Sequence, residues 1–199
     1  MNEPCHTRRG FSLVEILAVI TVIGIVVAIL VPVVAGVRTS ALESKTRAQL
    51  AQYTIAYQAF RADRGFFPTM GAPGAEFNVA ANNDVFIATL SGFLPNGARP
   101  APGSVAAVAN PRGTAYYAFQ AGEFALADDP AQPGALVDAF GNPNIVAVID
   151  RDGNNLIARA DFSLLEASLR PEAVPGGVVF YVHAPRGHDA GWRTILSWE

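Results

Sequence analysis

A single cysteine, Cys5, occurs among 199 residues, so no intramolecular disulfide can form and the fold does not depend on an oxidising compartment. Charge is sparse as well: Asp, Glu, Lys and Arg make up 16% of the chain, and the formal net charge is −3. That balance argues against a general electrostatic attraction to nucleic acid, whose binders carry basic patches, and no nucleic-acid partner is expected. The signatures of common catalysts are missing too. There is no Gly-x-Ser-x-Gly elbow, phosphate-binding P-loop, His-Glu-x-x-His or Cys-x-x-Cys. The expectation is a protein that is not an enzyme and requires no cofactor.

Hydrophobic residues are abundant, at 51%, but they are unevenly spread. Between Phe11 and Val37 runs a 27-residue stretch with one charged side chain, Glu15. It exceeds the roughly 20 residues that cross a bilayer core as a helix. A secretory signal peptide would have a shorter apolar stretch, about 7 to 15 residues, followed by a small-residue cleavage site. This segment is too long and has no such site, so it is expected to stay with the protein. The rest reads as an ordinary globular sequence, long enough for one compact head of roughly 100 to 150 residues.

The basic pair Arg8-Arg9 is followed at once by Gly10, and the apolar run opens Phe11-Ser12-Leu13-Val14-Glu15. This order resembles the prepilin leader shared by type IV pilins and the pseudopilins of type II secretion systems. Gly24 and Pro32 stand where the family helix commonly has a glycine and a proline. The resemblance implies that a membrane aspartyl peptidase cuts between Gly10 and Phe11 on the cytoplasmic side and methylates the new amine of Phe11. The leader, residues 1–10, would carry away the only cysteine.

Glu15 becomes the fifth residue of such a mature chain. A lone carboxylate inside a membrane helix costs roughly 2.5 to 3.5 kcal/mol on insertion scales, so it needs a partner or interfacial water. The resemblance supplies a partner: the positively charged amine of Phe11 in a neighbouring subunit, in a salt bridge that sets axial register. Pro32 removes a helix hydrogen bond and is expected to kink the helix. Gly24 allows neighbouring helices to approach or the segment to loosen, although both residues are common in membrane helices in any case. Basic residues flank the span on both sides, Arg8 and Arg9 before it and Arg38, Lys45 and Arg47 after it, so the positive-inside rule alone does not orient it. The leader does, because the family's peptidase works at the cytoplasmic face, which leaves the head outside.

After the span, Leu42, Leu50, Tyr53, Tyr57 and Phe60 recur at helical spacing among polar residues. One kinked helix from about Ser12 to Arg64, roughly 80 Å at 1.5 Å per residue, is therefore expected, stopped by Gly65 and Pro68. Residues 11–37 form its membrane and polymerisation part and residues 38–64 its soluble continuation, with a globular head over 65–199. Residues 71–111 read as loop, with one short helix at Asp84–Leu90 capped by Asp84. Strands are expected at Ala115–Leu126, Ile145–Ile149, Val178–His183 and Trp192–Leu196, and a further helix at Asp161–Leu169. The fold class is α+β, a long N-terminal helix packed on a small antiparallel sheet. Tyr116, Tyr117 and Phe119 alternate as sheet-packing residues of a strand. Asp138-Ala139-Phe140-Gly141-Asn142-Pro143 partly resembles the Asp-Pro-Trp-Gly-Asn-Pro segment of major pseudopilins.

Asp150, Asp152 and Asn154 place oxygens at alternate positions, as calcium loops do, although Asn155 replaces the sixth-position glycine of an EF-hand. A calcium site and a plain polar turn both remain open at this point. His183, His188 and Asp189 read as a surface loop. The resemblance implies a pseudopilin of a type II secretion system, held in the bacterial inner membrane with its head in the periplasm and then drawn into a periplasmic filament. Its partners would be the prepilin peptidase, copies of itself, other pseudopilins and the secretion system's inner-membrane platform. A type IV pilin for adhesion, motility or DNA uptake is the alternative. A second is a membrane-anchored binding module or enzyme that borrows the leader, with residues 71–111 as its binding surface.

Overall fold

The computed structural model describes residues 13–70, 75–125, 134–183 and 194–198. Gly10, Phe11, Ser12, His188, Asp189 and Trp192 lie outside the described residues. The chain divides into two compact units, Met1–Ala41 and Leu42–Glu199.

Helix α1 spans Leu13–Arg64. In the first unit its side chains are exposed all round, from Leu13 to Leu30. Its backbone runs through Pro32 without a break in helical conformation. Pro32 has no N–H, so the carbonyl one turn earlier receives no backbone donor from it.

In the second unit α1 becomes one-sided. Thr46, Gln49, Leu50, Tyr53, Ala56, Tyr57 and Phe60 are buried, at three- and four-residue intervals, while Ile55 on the outer face is 63% exposed. The helix stops at Gly65, which adopts a left-handed φ of +83° and donates its amide to Arg61 O at 2.7 Å.

The core sheet has the order β1(Glu76–Asn78), β2(Ile145–Ile149), β5(Val178–Val182), β6(Ile195–Leu196), all antiparallel. Every residue of β2 and β5 is buried. Side chains alternate across a strand, so such unbroken apolar runs mean a sheet covered on both faces. One face presents Phe77, Ile145, Ala147, Ile149, Phe180 and Val182 to Leu50, Tyr53 and Tyr57 of α1. Opposite, Val146, Val148, Val179 and Tyr181 pack under Ile157, Phe162, Leu165 and Val174. That second cover is a hairpin of β3(Leu156–Ala158) and β4(Ala173–Pro175) with the loop between them. Each fully buried side chain of this size contributes roughly 1.5–3 kcal/mol, so the doubly covered sheet is the energetic centre of the head.

Of the loop expected at 71–111, residues 75–111 are described, and they are more ordered than a loop. They supply β1, which pairs with β2, then α2(Asn83–Ser91) and α3(Val105–Ala109). Asp84 is not the cap of α2; Asn82 holds that position and Asp84 sits in the first turn, where its charge faces the positive end of the helix dipole. The strand expected at Ala115–Leu126 does not form. The amides of Tyr116 and Tyr117 both donate to Leu90 O, residues 121–123 make a 3-10 turn, and only Phe124 makes an isolated bridge, to Leu136. Adjacent Tyr116 and Tyr117 both pack against the same core, which neighbouring residues of a strand, pointing to opposite faces, cannot do. The expected helix at Asp161–Leu169 is also replaced, by a short 3-10 turn at Arg159–Asp161 and irregular chain. Arginine side chains take carbonyls that a helix would use: Arg170 donates to Leu165 O and Ser163 O, and Arg159 to Ala167 O.

Gly92, which ends α2, has a φ of +83°, and a Cβ built there would lie 2.5 Å from Gly113 O. Gly65 has the same φ but open space around it. Gly65→Ala is expected to cost about 1 kcal/mol, from the backbone conformation alone. Gly92→Ala should cost about 3 kcal/mol, because backbone crowding adds to it. Urea denaturation of the two variants, followed by tyrosine and tryptophan fluorescence, measures the difference, and equal costs would contradict the close approach.

Candidate functional site

Leu13–Leu30 is the one stretch among the described residues long and apolar enough to cross a membrane, and none of it is buried within the protein. A helix is the form in which such a segment satisfies its backbone internally. Its polar side chains are few. Thr21 resolves its own hydroxyl by donating to Leu17 O at 2.7 Å. Glu15 lies in the first described turn, exposed, among Leu13, Val14, Ile16 and Leu17. Around Gly24 there is open space, so the helix surface there is a shallow notch bounded by Ile20, Ile23 and Val27. The segment thus presents an exposed apolar surface on every side, which fits contact with lipid or with other helices.

Where α1 meets the head, a buried polar chain joins them. Gln49 Nε2 donates to Tyr53 Oη and to Val137 O, each at 2.9 Å. Tyr53 in turn donates to Glu123 Oε2 at 2.8 Å, and Tyr117 donates to Glu123 Oε1 at 2.7 Å. Burial pushes the Tyr53 hydroxyl well above its ordinary value, and the Glu123 carboxylate beside it pushes further. The same two causes raise Tyr117. Both phenols therefore stay protonated as donors. Two phenols and the backbone amide of Gln120, which donates to Glu123 Oε1 at 3.3 Å, replace the water that the carboxylate loses, which is what a buried charge requires. This arrangement fixes the rotation of α1 against the head.

A second lock is the Asp138–Pro143 segment. Asp138 Oδ1 accepts from the amides of Phe140 and Asn142, and Asn142 Nδ2 donates to His183 O at the end of β5. Ala139 N donates to Thr46 Oγ1 on α1. The segment thus ties helix to sheet. Burial raises the Asp138 carboxyl above its ordinary range, against the opposing pull of those amides, and its Oδ2 is buried without a hydrogen-bond partner.

Asp150, Asp152 and Asn154 do come together, in the turn before β3, with their oxygens turned to local donors. Asp150 accepts from Gly153 N and Asn155 N at 2.8 and 2.7 Å, Asp152 from Asn154, and Asn154 Oδ1 from Leu156 N. Asn155 takes a left-handed φ of +59° and accepts from Arg61 of α1. No group of three or more His, Cys, Asp or Glu side chains suited to a metal is found among the described residues. Each of these three side chains thus accepts at least one local hydrogen bond. Burial, the largest influence on Asp150, pushes its carboxyl up, but the Asp152 side chain, the two amides and Arg61 outweigh it and hold it below the usual range. His183, of the three sequence candidates the one described, has its Nδ1 buried and without a hydrogen bond.

Gln49, Glu123 and Glu76 were not singled out by sequence. Glu76 of β1 accepts from Ser163 N, Ser163 Oγ, Leu164 N and Tyr181 Oη, and so holds the second cover onto the sheet. For Gln49 a signal existed: it stands on the apolar face of α1, one turn before Tyr53. Nothing local distinguishes Glu76 or Glu123.

Residues 5–31 match the family model described as the prokaryotic N-terminal methylation motif, the prepilin-type leader of type IV pilins and pseudopilins. No curated protein and no solved structure matches the chain. The motif supports a type IV pilin-like or pseudopilin protein, structural in character, that is processed by a prepilin peptidase and assembles with other pilin-like subunits. Together with the apolar helix it fits anchoring in the inner membrane.

The two core tyrosines of α1 provide a test. Tyr53 donates to a buried carboxylate, whereas Tyr57 Oη is buried with no partner. Tyr53→Phe is expected to cost about 2 kcal/mol, and Tyr57→Phe to be neutral or stabilising. Thermal melts of the full chain in detergent should show a clear drop for Tyr53→Phe and no drop for Tyr57→Phe.

Acid titration tests the turn. A carboxyl held low in the folded state stabilises above the unfolded value, near 4, and that stability is lost as pH falls through the folded value. Asp150→Asn should cost about 1 kcal/mol at pH 7 and nothing near pH 2. Asp138, held high, works with the opposite sign, its cost appearing as pH rises.

Proposed function

We propose that this chain is a structural filament subunit, a pseudopilin of a type II secretion system, processed between Gly10 and Phe11 and assembled through its N-terminal helix. The observation that carries the reading is the order Arg8-Arg9-Gly10-Phe11 followed by an apolar helix whose single charge is Glu15. In this reading the chain is held in the inner membrane by residues 11–37, with the head in the periplasm. It then joins copies of itself and related subunits on the inner-membrane platform. Glu15 pairs with the methylated amine of Phe11 on a neighbour, which removes the cost of leaving a carboxylate alone among lipid and apolar side chains. Gly24 and Pro32 supply the local freedom the helix needs as it leaves the bilayer for the filament.

The cysteine-free mature chain favours the secretion filament over a surface pilin for adhesion, motility or DNA uptake, because pilin heads often close a C-terminal loop with a disulfide. For the Asp150–Asn155 turn this reading takes the plain polar turn over the calcium site, a choice supported by the local donors its oxygens already have.

The test is the intact mass of the protein from its native membrane, with Gly10→Ala and Glu15→Ala alongside. The parent chain should begin at methylated Phe11, and Gly10→Ala should keep its leader. Glu15→Ala should be processed normally but yield about tenfold less sedimentable filament, the equivalent of roughly 1.4 kcal/mol per added subunit. A parent chain that still carries residues 1–10 would overturn the reading, and normal filament yield from Glu15→Ala would remove the salt bridge from it.

A further inference from the structure

The head exposes two rigid apolar features on opposite sides of its sheet. On the α1 side, a groove of about 340 Å³ runs between Phe66, Met70, Thr89, Val105 and Val108. Val108 is 68% exposed, Phe66 50% and Val105 47%, although Ala106 of the same short helix is buried. Polar staples fix this surface. Asn110 Nδ2 donates to Thr89 O and Thr114 O, and Arg64 donates from Nε and Nη2 to Ala109 O. On the side of the second cover, Leu164 and Leu169 are 50% and 40% exposed, beside the fully buried Phe162 and Leu165. That loop is equally fixed, gripped by Glu76 through the amides of Ser163 and Leu164 and by Arg170 through the carbonyls of Ser163 and Leu165.

We infer that the Leu164–Leu169 loop of one head docks into the Phe66–Val108 groove of the next copy of this chain. Three observations favour a second copy as the occupant. One patch is concave and the other is a presented loop, and each is held in place by hydrogen bonds, so little conformational entropy is lost on contact. They lie on opposite faces of the sheet, the arrangement that gives head-to-tail repetition instead of a closed symmetric pair. Their charges are complementary: Arg99 and Arg112 are the only charged residues in 92–113, whereas 156–177 carries Asp161, Glu166 and Glu172 against Arg159 and Arg170. A basic segment meeting a net acidic one also disfavours groove-to-groove pairing. The inference rests on the filament reading proposed above and adds a head interface to it.

The experiment uses the full chain in native membranes, with Cys5→Ser so that introduced thiols are the only ones. Val108→Cys and Leu164→Cys are made singly and together, and copper–phenanthroline is added as oxidant. The double variant should give a ladder of dimers, trimers and higher species on non-reducing gels, and each single variant no more than about a tenth of that cross-linking. Adding Leu169→Asp to the double variant should lower the ladder about fivefold without changing the thermal melt. Dimers from a single variant would mean symmetric pairing and would overturn the inference. So would a cross-linked band containing a different protein, or no cross-link at all. Intact mass and sedimentation on the same samples keep the two readings apart. Processed, sedimentable filament without a ladder overturns the docking alone, whereas an unprocessed chain overturns the filament reading, and detergent-solubilised double variant then decides the docking.

Discussion

The helix α1 changes from apolar on all sides to apolar on one face along its length, and most of the rest of the structure follows from that change. Up to Leu30 it is apolar on every side and nothing in the protein covers it. From Thr46 onward it is apolar on one face only, and that face is buried. A helix that met only one environment would need only one of these patterns. The change between Leu30 and Thr46 leaves only a narrow apolar stripe on which the head is built. Tyr53, Tyr57 and Phe60 fill the stripe because aromatic rings bury more area per position than aliphatic side chains.

A narrow apolar stripe leaves rotation about the helix axis poorly determined, since neighbouring rotations bury similar area. The Gln49–Tyr53–Glu123 chain removes that freedom, because it is satisfied in one rotation, and any other takes the Tyr53 donor away from Glu123 Oε2 and leaves that buried oxygen unpaired. Thr46 with Ala139 and Arg61 with Asn155 act in the same way, above and below it. These contacts add less free energy than the apolar core, but they discriminate more sharply between alternative packings. A long helix whose direction is handed on to a head needs that discrimination more than it needs extra stability.

How much was legible in the sequence depended on the range of the interactions involved. The end of α1 at Arg64 and both bounds of β2 could be read from local pattern, because glycine at a left-handed position and doubly buried apolar runs leave local marks. β1 could not be read. It has three residues, and it exists because β2 offers it an edge and Glu76 finds Tyr181 and Ser163, 105 and 87 positions away. The alternation at Tyr116–Phe119 predicted a strand for a sound local reason, yet the core already had its sheet, and the aromatic rings reach it from irregular chain instead. In the candidate site, the leader and Glu15 stood out because one charge in a long apolar run is visible by itself. Glu123 was invisible because its meaning comes from a tyrosine 70 residues earlier.

The same division bears on how strong any contact between heads has to be. A helix that associates laterally through an apolar surface brings the heads it carries to high effective concentration, commonly millimolar when the connection is short. Here the connection is helix α1, which is helical from Leu13 to Arg64. Contacts too weak to pair free heads then suffice to order them, so small exposed patches such as Val105–Val108 and Leu164–Leu169 need not be large enough to make the head sticky on its own. In the proposed filament, modest head surfaces and a strongly apolar helix are therefore two parts of one solution: the helix supplies proximity, and the head supplies direction.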